Sequence, residues 1–229
     1  MSRLVASNLC IPGRLEPTSI AMEAGTLTCL IGPNGSGKTS LLHAIAGIGE
    51  REGEVRVDGI DPCLASPRQR SRIITYLPAS RDVKWPLTAT DLIRLGGEED
   101  IDAVVSDLEL DAFTERRIDR LSTGERTRVL IARALAPRPK VVLLDEPVAN
   151  LDPLWQLKLM QHLRGLAHDR GQAVIIAAHD LDLAGRFADR LVVMDKGRIV
   201  ADGGPELLDG SVIRQVFGVE RREGAWQPY

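Results

Sequence analysis

Eight consecutive residues, Gly32, Pro33, Asn34, Gly35, Ser36, Gly37, Lys38 and Thr39, constrain this 229-residue chain more than any other feature in it. They match the phosphate-binding loop pattern G-x-x-x-x-G-K-[ST]. Such a loop makes physical demands on its surroundings. Glycines let the backbone wrap close to a phosphate, and several N–H groups must converge on it at a helix N-terminus. The flanking sequence meets both demands. The apolar run Leu27–Ile31 reads as a strand entering the loop, and Ser40, Leu41, Leu42, His43, Ala44 and Ile45 read as a helix leaving it. Lys38 is placed to neutralise phosphate charge, and the Thr39 hydroxyl to hold Mg²⁺. From average composition a match arises by chance in about one chain in a hundred of this length, and the strand–loop–helix context lowers that further.

The rest of the chain agrees with the α/β frame this loop requires. Short β-rich runs recur at 27–31, 54–57, 73–77, 141–144, 173–177 and 191–194. Those at 141–144 and 173–177 are apolar on both faces, the pattern of strands buried on both sides of a mainly parallel sheet. Helical patterns alternate with them. After Asp152, a good N-cap, Pro153 takes the first helical position, and Leu154, Leu157, Met160, Leu163 and Leu166 recur near helical period. Residues 86–136 read differently, with helical patterns at 89–95, 101–108 and 125–136 and no convincing strand. The expected organisation is one domain over 1–229. It comprises an α/β core from 1–85 and 137–217, an inserted helical subdomain at 86–136, and a short, polar, peripheral tail at 218–229.

Composition excludes several alternatives. Hydrophobic residues make up 44% of the chain and charged residues 27%, with a formal net charge of -3. A broad nucleic-acid surface needs clustered Lys and Arg, whereas here Arg116–Arg117 and Arg221–Arg222 are isolated pairs among acids, so no nucleic-acid partner is expected. Cys10, Cys29 and Cys63 have no metal-ligand spacing and read as reduced, structural thiols, in keeping with a cytosolic setting. The opening residues Met1, Ser2, Arg3, Leu4 and Val5 do not resemble a secretory signal, and no apolar run approaches the roughly 20 residues of a membrane helix.

Two further elements carry chemistry. Val141, Val142, Leu143 and Leu144 lead into Asp145, Glu146 and Pro147, which sets two carboxylates at the carboxyl edge of a sheet, where open α/β folds bind ligands. Asp145 would meet the Mg²⁺ shell, and Glu146 would polarise an attacking water as a general base. Leu121, Ser122, Thr123, Gly124 and Glu125 precede a helix. Read locally, Ser122 is its cap and Glu125 completes a capping box. The same geometry presents Ser122, the Gly124 N–H and a helix dipole to an anion.

Taken in order, these elements resemble the nucleotide-binding subunit of ABC transporters over nearly the whole chain. The loop 32–39 is similar to that family's first phosphate motif, 121–125 to its signature and 143–146 to its second motif. Residues 149–152 are similar to its D-loop, and Ala178, His179 and Asp180 to its switch histidine. The resemblance implies an ATP-hydrolysing P-loop cassette with a mainly parallel core sheet, an antiparallel β part and an inserted helical subdomain. It implies ATP and Mg²⁺ as cofactors, with Gly32, Pro33, Asn34, Gly35, Ser36, Gly37, Lys38, Thr39 and Ser40 around the phosphates and Thr39 and Asp145 at the metal. Glu146 and His179 would be catalytic. Two copies would sandwich two ATP molecules head to tail, with Ser122, Gly124 and Asp152 of one copy completing the site of the other. A separate integral membrane permease would be the partner, with a periplasmic binding protein acting indirectly. The expected location is cytoplasmic, peripheral on the inner face of the membrane.

Three positions depart from the family pattern. Ala79 stands where a glutamine usually touches metal and water, and a methyl group can do neither; Ser80 is the neighbouring substitute. No aromatic residue occurs from Met1 to Ile31, so the adenine is expected to rest on aliphatic contact around Ile11 to Leu15. Thr123 replaces the usual signature glycine. The stretch Arg81, Asp82, Val83, Lys84, Trp85, Pro86, Leu87 and Thr88 resembles importers of the iron–siderophore, haem or cobalamin type, with Trp85 a candidate anchor for the permease. Two alternatives are a soluble non-transport ABC ATPase and a weakly hydrolysing regulatory subunit, the latter motivated by Ala79.

Overall fold

The run Leu27–Ile31 forms a strand buried at all five positions, and the chain is arranged around it. The computed structural model describes residues 2–80, 86–222 and 224–229. Strands β1 (Ser2–Ile11), β2 (Leu15–Glu23) and β3 (Leu27–Ile31) come first, followed by helix α1 (Lys38–Ala46) and strand β4 (Glu52–Val57). Helix α2 (Pro67–Ile73) runs into β5 (Ile74–Leu77), and three helices follow, α3 (Ala89–Arg94), α4 (Ile101–Asp107) and α5 (Thr123–Leu135). Next come β6 (Val141–Asp145), α6 (Pro153–Arg170), β7 (Ala173–Ala177), α7 (Leu181–Phe187), β8 (Arg190–Asp195) and β9 (Arg198–Gly203). Helix α8 (Ser211–Phe217) and the hairpin β10 (Val219–Arg222) and β11 (Ala225–Pro228) close the chain.

Six strands form the main sheet in the order β5-β6-β7-β3-β8-β9, parallel except for β9, which runs antiparallel beside β8. The side-chain period of two divides its residues between two cores. Leu27, Cys29, Ile31, Val142, Leu144, Val174, Ile176, Leu191 and Val193 face the helices α3 to α8. Leu30, Val141, Leu143, Ala173, Ile175, Ala177, Val192 and Met194 face α1 and an antiparallel sheet in the order β2-β1-β4. Both faces are dry, so each of these strands is apolar throughout rather than alternating. Burying each Leu, Ile or Val contributes about 1.5–3 kcal/mol. The antiparallel sheet is half exposed and alternates: in β2, Leu15, Thr18, Ile20 and Met22 are buried while Glu16, Pro17, Ser19 and Glu23 are exposed.

Three expectations change. The inward stripe of α6 is Leu159, Met160, Leu163, Leu166 and Ala167, while Leu154, in the first turn after Asp152, is 59% exposed. The tail is not peripheral: Val219 and Trp226 of the terminal hairpin pack against the larger core, and the Trp226 indole donates to Asp182 at 3.0 Å. All three cysteines are free, but Cys63 is exposed rather than packed. Cys29 is fully buried, which raises its thiol pKa to about 12 and keeps it neutral. Trp85 lies outside the described residues.

Candidate functional site

The carboxyl ends of β3, β6 and β7 converge on a cleft of about 650 Å³. Residues 34–40 form one wall, Glu146 and His179 another, and Gly13, Arg14, Leu15, Glu16, Lys196 and Gly197 the remainder. The loop out of β3 folds tightly because a side chain has no room in it. A Cβ at Gly32 would collide with the Met194 carbonyl and the Ser36 hydroxyl. Gly37, at φ 103°, holds the left-handed conformation that caps α1. No side chain caps this helix and no acid occupies its first turn, so its leading N–H groups are left to a ligand. The Ser36 hydroxyl is buried and finds no hydrogen-bond partner among the described residues, a second sign that this loop is shaped for a polar guest.

Lys38 is buried, and its ammonium donates to the Gly32 and Pro33 carbonyls at 2.7 and 3.1 Å. Desolvation lowers its pKa, while the charges of Glu146 and Asp145 work in the opposite direction. The Thr39 hydroxyl donates to Asp145 Oδ2 at 2.8 Å, across 106 residues of sequence. That pair is an all-oxygen donor set of one carboxylate and one hydroxyl, which suits a hard cation such as Mg²⁺ completed by phosphate and water. Among the described residues no cluster of three or more His, Cys, Asp or Glu could hold a metal ion.

Behind Asp145 lies a layer that sequence reading missed. The Tyr76 hydroxyl, from β5, donates to Asp145 Oδ2 at 3.4 Å. His43 of α1 meets the same hydroxyl at 2.9 Å, with the two rings edge to face. Tyr76 is pushed well above the usual phenol range by burial, then by the Asp145 charge, so it keeps its proton and remains a donor. The hydroxyl therefore links the His43 ring to the Asp145 carboxylate.

Glu146 begins the turn after β6 with φ 50°, uncommon for a residue with a side chain. Its N–H donates to the Ala177 carbonyl at 3.1 Å, which ties the ends of β6 and β7 together. Its Oε1 is in close polar contact with His179 Nε2. Both side chains are partly exposed at the cleft, so the carboxylate is held by a neighbour that a ligand can approach.

The candidate residues from the other stretches stand apart. Ser122, Gly124 and Asp152 do not line the cleft. Ser122 Oγ accepts from Glu125 N at 3.2 Å and Ser122 N donates to Glu125 Oε2 at 2.8 Å, the complete capping box. Asp152 likewise caps α6, its Oδ1 accepting from Trp155 N at 3.0 Å. A Cβ at Gly124 would lie 3.6 Å from the Asn150 carbonyl, so the starts of α5 and α6 adjoin. Ala79 and Ser80 are exposed beyond β5 and neither reaches the cleft.

The ABC transporter family model matches residues 15–149, more than half of the chain. The chain belongs to that family. The cassette is an ATPase of the ABC type. It is 36% identical over 232 residues to the hemin import ATP-binding protein of Roseobacter denitrificans, covering 94% of this chain and 88% of that one. It is 33% identical over 223 residues to the petrobactin import ATP-binding protein of Bacillus anthracis, covering 90% of this chain and 82% of that one. Its fold matches the dimeric structure of the bacterial ABC transporter cassette MJ0796 with a TM-score of 0.79 at 26% identity, over 88% of this chain and 98% of that one.

The segment expected to meet the adenine is narrowed by the geometry. Ile11 does not line the cleft, and Leu15, which does, is 2% exposed. Arg14 and Lys196 line the cleft beside it. Both sit in turns: Arg14 N donates to the Ile11 carbonyl at 2.9 Å, and Lys196 has φ 46° between β8 and β9. Gly197 fastens that second turn to the loop, donating to the Ser36 carbonyl at 2.8 Å and accepting from Glu16 N at 3.0 Å. The Lys196–Gly197 turn signal between two strand patterns is legible in the sequence; its arrival beside a loop 160 residues earlier is not.

Among the described residues, no helix is long and apolar enough to cross a membrane.

Proposed function

We propose that the cassette powers import of an iron–siderophore, haem or cobalamin-type substrate, by ATP-driven closure of two copies against a separate membrane permease. The triphosphate of ATP would lie in the loop 32–40, with Lys38 against the β- and γ-phosphates and the α1 N-terminus behind them. Thr39 and Asp145 would hold Mg²⁺, which would supply positive charge to offset that of the phosphates. Glu146 would position the attacking water and accept its proton, and His179 would meet the γ-phosphate. The observation that carries this reading is an asymmetry. Lys38, Thr39, Asp145, Glu146 and His179 share one end of the sheet, whereas Ser122, Gly124 and Asp152 lie outside the cleft. A second copy, turned head to tail, would bring its Ser122 and Gly124 to the γ-phosphate, so that ATP completes the contact and hydrolysis releases it.

Relatives that import hemin and petrobactin support the haem and siderophore part of the cargo reading. The cassette would sit on the inner face of the membrane, bound to the permease, with a periplasmic binding protein delivering cargo from the other side. Ala79 favours a second reading, a slowly hydrolysing regulatory cassette, because neither it nor Ser80 approaches the cleft. Light scattering on a Glu146→Gln variant with ATP and Mg²⁺ tests the engine, since a dimer is expected and monomers alone would refute it. Turnover of the native cassette with and without permease then separates the two readings: stimulation by the permease supports transport.

A further inference from the structure

Outside the cleft, one basic side chain joins three elements. Arg128, on α5, lays its guanidinium over Trp155 of α6, 3.9 Å from the ring centre, and over the Phe113 ring at 5.1 Å. Its Nη1 also donates to the Leu108 and Glu109 carbonyls, at 2.9 and 3.1 Å, just past the end of α4. Glu109 in turn accepts from Lys158 of α6 at 2.6 Å, and that ammonium stands 4.9 Å from the Trp155 ring centre. The Arg128 guanidinium is partly buried, where a cation over an aromatic face is worth more than in water.

Both partners of the stack adjoin residues that stand apart from the cleft. Ser122 and Gly124 open α5, and the Trp155 N–H donates to Asp152 Oδ1 at 3.0 Å within the cap that opens α6. The two helix starts meet at Gly124, where a Cβ would lie 3.6 Å from the Asn150 carbonyl and 3.9 Å from Leu151 Cδ2. The stack adds a second contact further along both helices, and two separated contacts restrict pivoting where one does not. We propose that the Arg128–Trp155 stack is a positioning device. It holds Ser122 and Gly124 in register with Asp152, so that one copy presents all three as a set to the ATP of the other. This rests on the reading of two copies closing head to tail.

Trp155→Leu removes the aromatic face but leaves Arg128 its two carbonyls, whereas Arg128→Met removes the cation. Each is expected to lower kcat about tenfold, with ATP affinity of the single cassette within twofold of wild type, because neither residue lines the cleft. Trp155→Phe keeps a face and should recover kcat to within about threefold of wild type. The double variant should fall no further than Arg128→Met alone, since both changes remove the same contact. In a Glu146→Gln background, Trp155→Leu should raise the protein concentration needed for ATP-driven dimerisation about tenfold. Turnover and light scattering, each well below the melting temperature of the variant, give the answer. A double variant about a hundredfold down would make the two effects independent and overturn the proposal. So would wild-type kcat in Trp155→Leu, which would leave Arg128 only its role at the end of α4. Lower melting temperatures with unchanged kcat and dimerisation would make the stack a matter of stability alone, again overturning it. If Glu146→Gln by itself stays monomeric with ATP, the head-to-tail reading fails first, and this proposal with it.

Discussion

Lys38 and Ser122 both stand at the start of a helix beside a glycine, yet the two starts are finished differently. Gly37 caps α1 with a left-handed backbone and no side-chain hydrogen bond, and the buried Ser36 hydroxyl above it has no partner among the described residues. Ser122 caps α5 with its own hydroxyl, and Glu125 closes the box from the other side. One helix end is left open inside a cleft; the other is satisfied and faces out. The difference teaches that an anion-shaped helix start is not by itself a binding site. At α1 the missing cap, the buried Lys38 and the carboxylates of Asp145 and Glu146 supply an incentive for a ligand, whereas α5 needs something from outside the chain to become one.

The sharpest way to break this comparison is to disable chemistry at the open end and look for its partner. Glu146→Gln is expected to cut turnover by about a thousandfold, the scale of a general base, with ATP affinity retained. If turnover falls by less than tenfold, the strained turn at Glu146 serves the β6–β7 connection rather than catalysis. The next largest effect separates capping from catalysis at Ser122. Aspartate is as good an N-cap as serine, so Ser122→Asp should leave the melting temperature within about 2 °C. Its negative charge would oppose an incoming γ-phosphate, and turnover should fall by about a hundredfold. Unchanged turnover in Ser122→Asp would reduce Ser122 to a cap and nothing more.

What the sequence disclosed follows the same division. The open end was legible because its parts are contiguous: the loop 32–39, the strand ending in Asp145 and Glu146, and the strand before His179 each carry their own local pattern. The unbroken apolar runs of β6 and β7 pointed to the parallel sheet because both faces of it are buried. The half-exposed strands β1 and β2 left a weaker mark, with β1 further blurred by irregular register at Ala6–Leu9 and Leu9–Ile11. The terminal hairpin escaped notice because only Val219 and Trp226 of its eight paired residues pack inward. Arg14, Lys196, His43 and Tyr76 were not foreseen for another reason. Each is brought to the site by elements distant in the sequence, and tertiary packing alone decides which side chains gather there.

The layer behind Asp145 gives a smaller, more specific test of the open end. Tyr76→Phe keeps the ring and its contact with His43 but removes the hydroxyl that orients the carboxylate. The Mg²⁺ concentration for half-maximal turnover should rise about tenfold, the usual cost of losing a group that holds a metal ligand in place. ATP binding measured in excess chelator should not change, because the phosphate loop is untouched. A loss that appears equally without Mg²⁺ would mean the hydroxyl supports the fold of β5 and not the metal site.

The smallest effect belongs to the closed end, and its sign comes from Glu125. Hydrogen bonding from the Ser122 N–H, more than the Arg116 charge, holds the Glu125 carboxyl below the usual glutamate range. A carboxyl depressed on folding adds stability that is fully present above its unfolded value near about 4.3 and is lost as pH falls through the lower folded value. Between pH 7 and pH 5 the box should therefore contribute a constant amount, and only below that range should it fade. Glu125→Gln keeps a side-chain oxygen for the Ser122 N–H but removes the charge. Its melting temperature should lie about 2 °C under wild type at pH 7, and the gap should close as pH falls towards 3. Thermal melts across that range decide the matter. A gap that persists at pH 3 would mean that shape and not charge holds the box shut, and a gap absent at pH 7 would mean that the α5 terminus is stabilised by its packing against Asn150 and Leu151 instead.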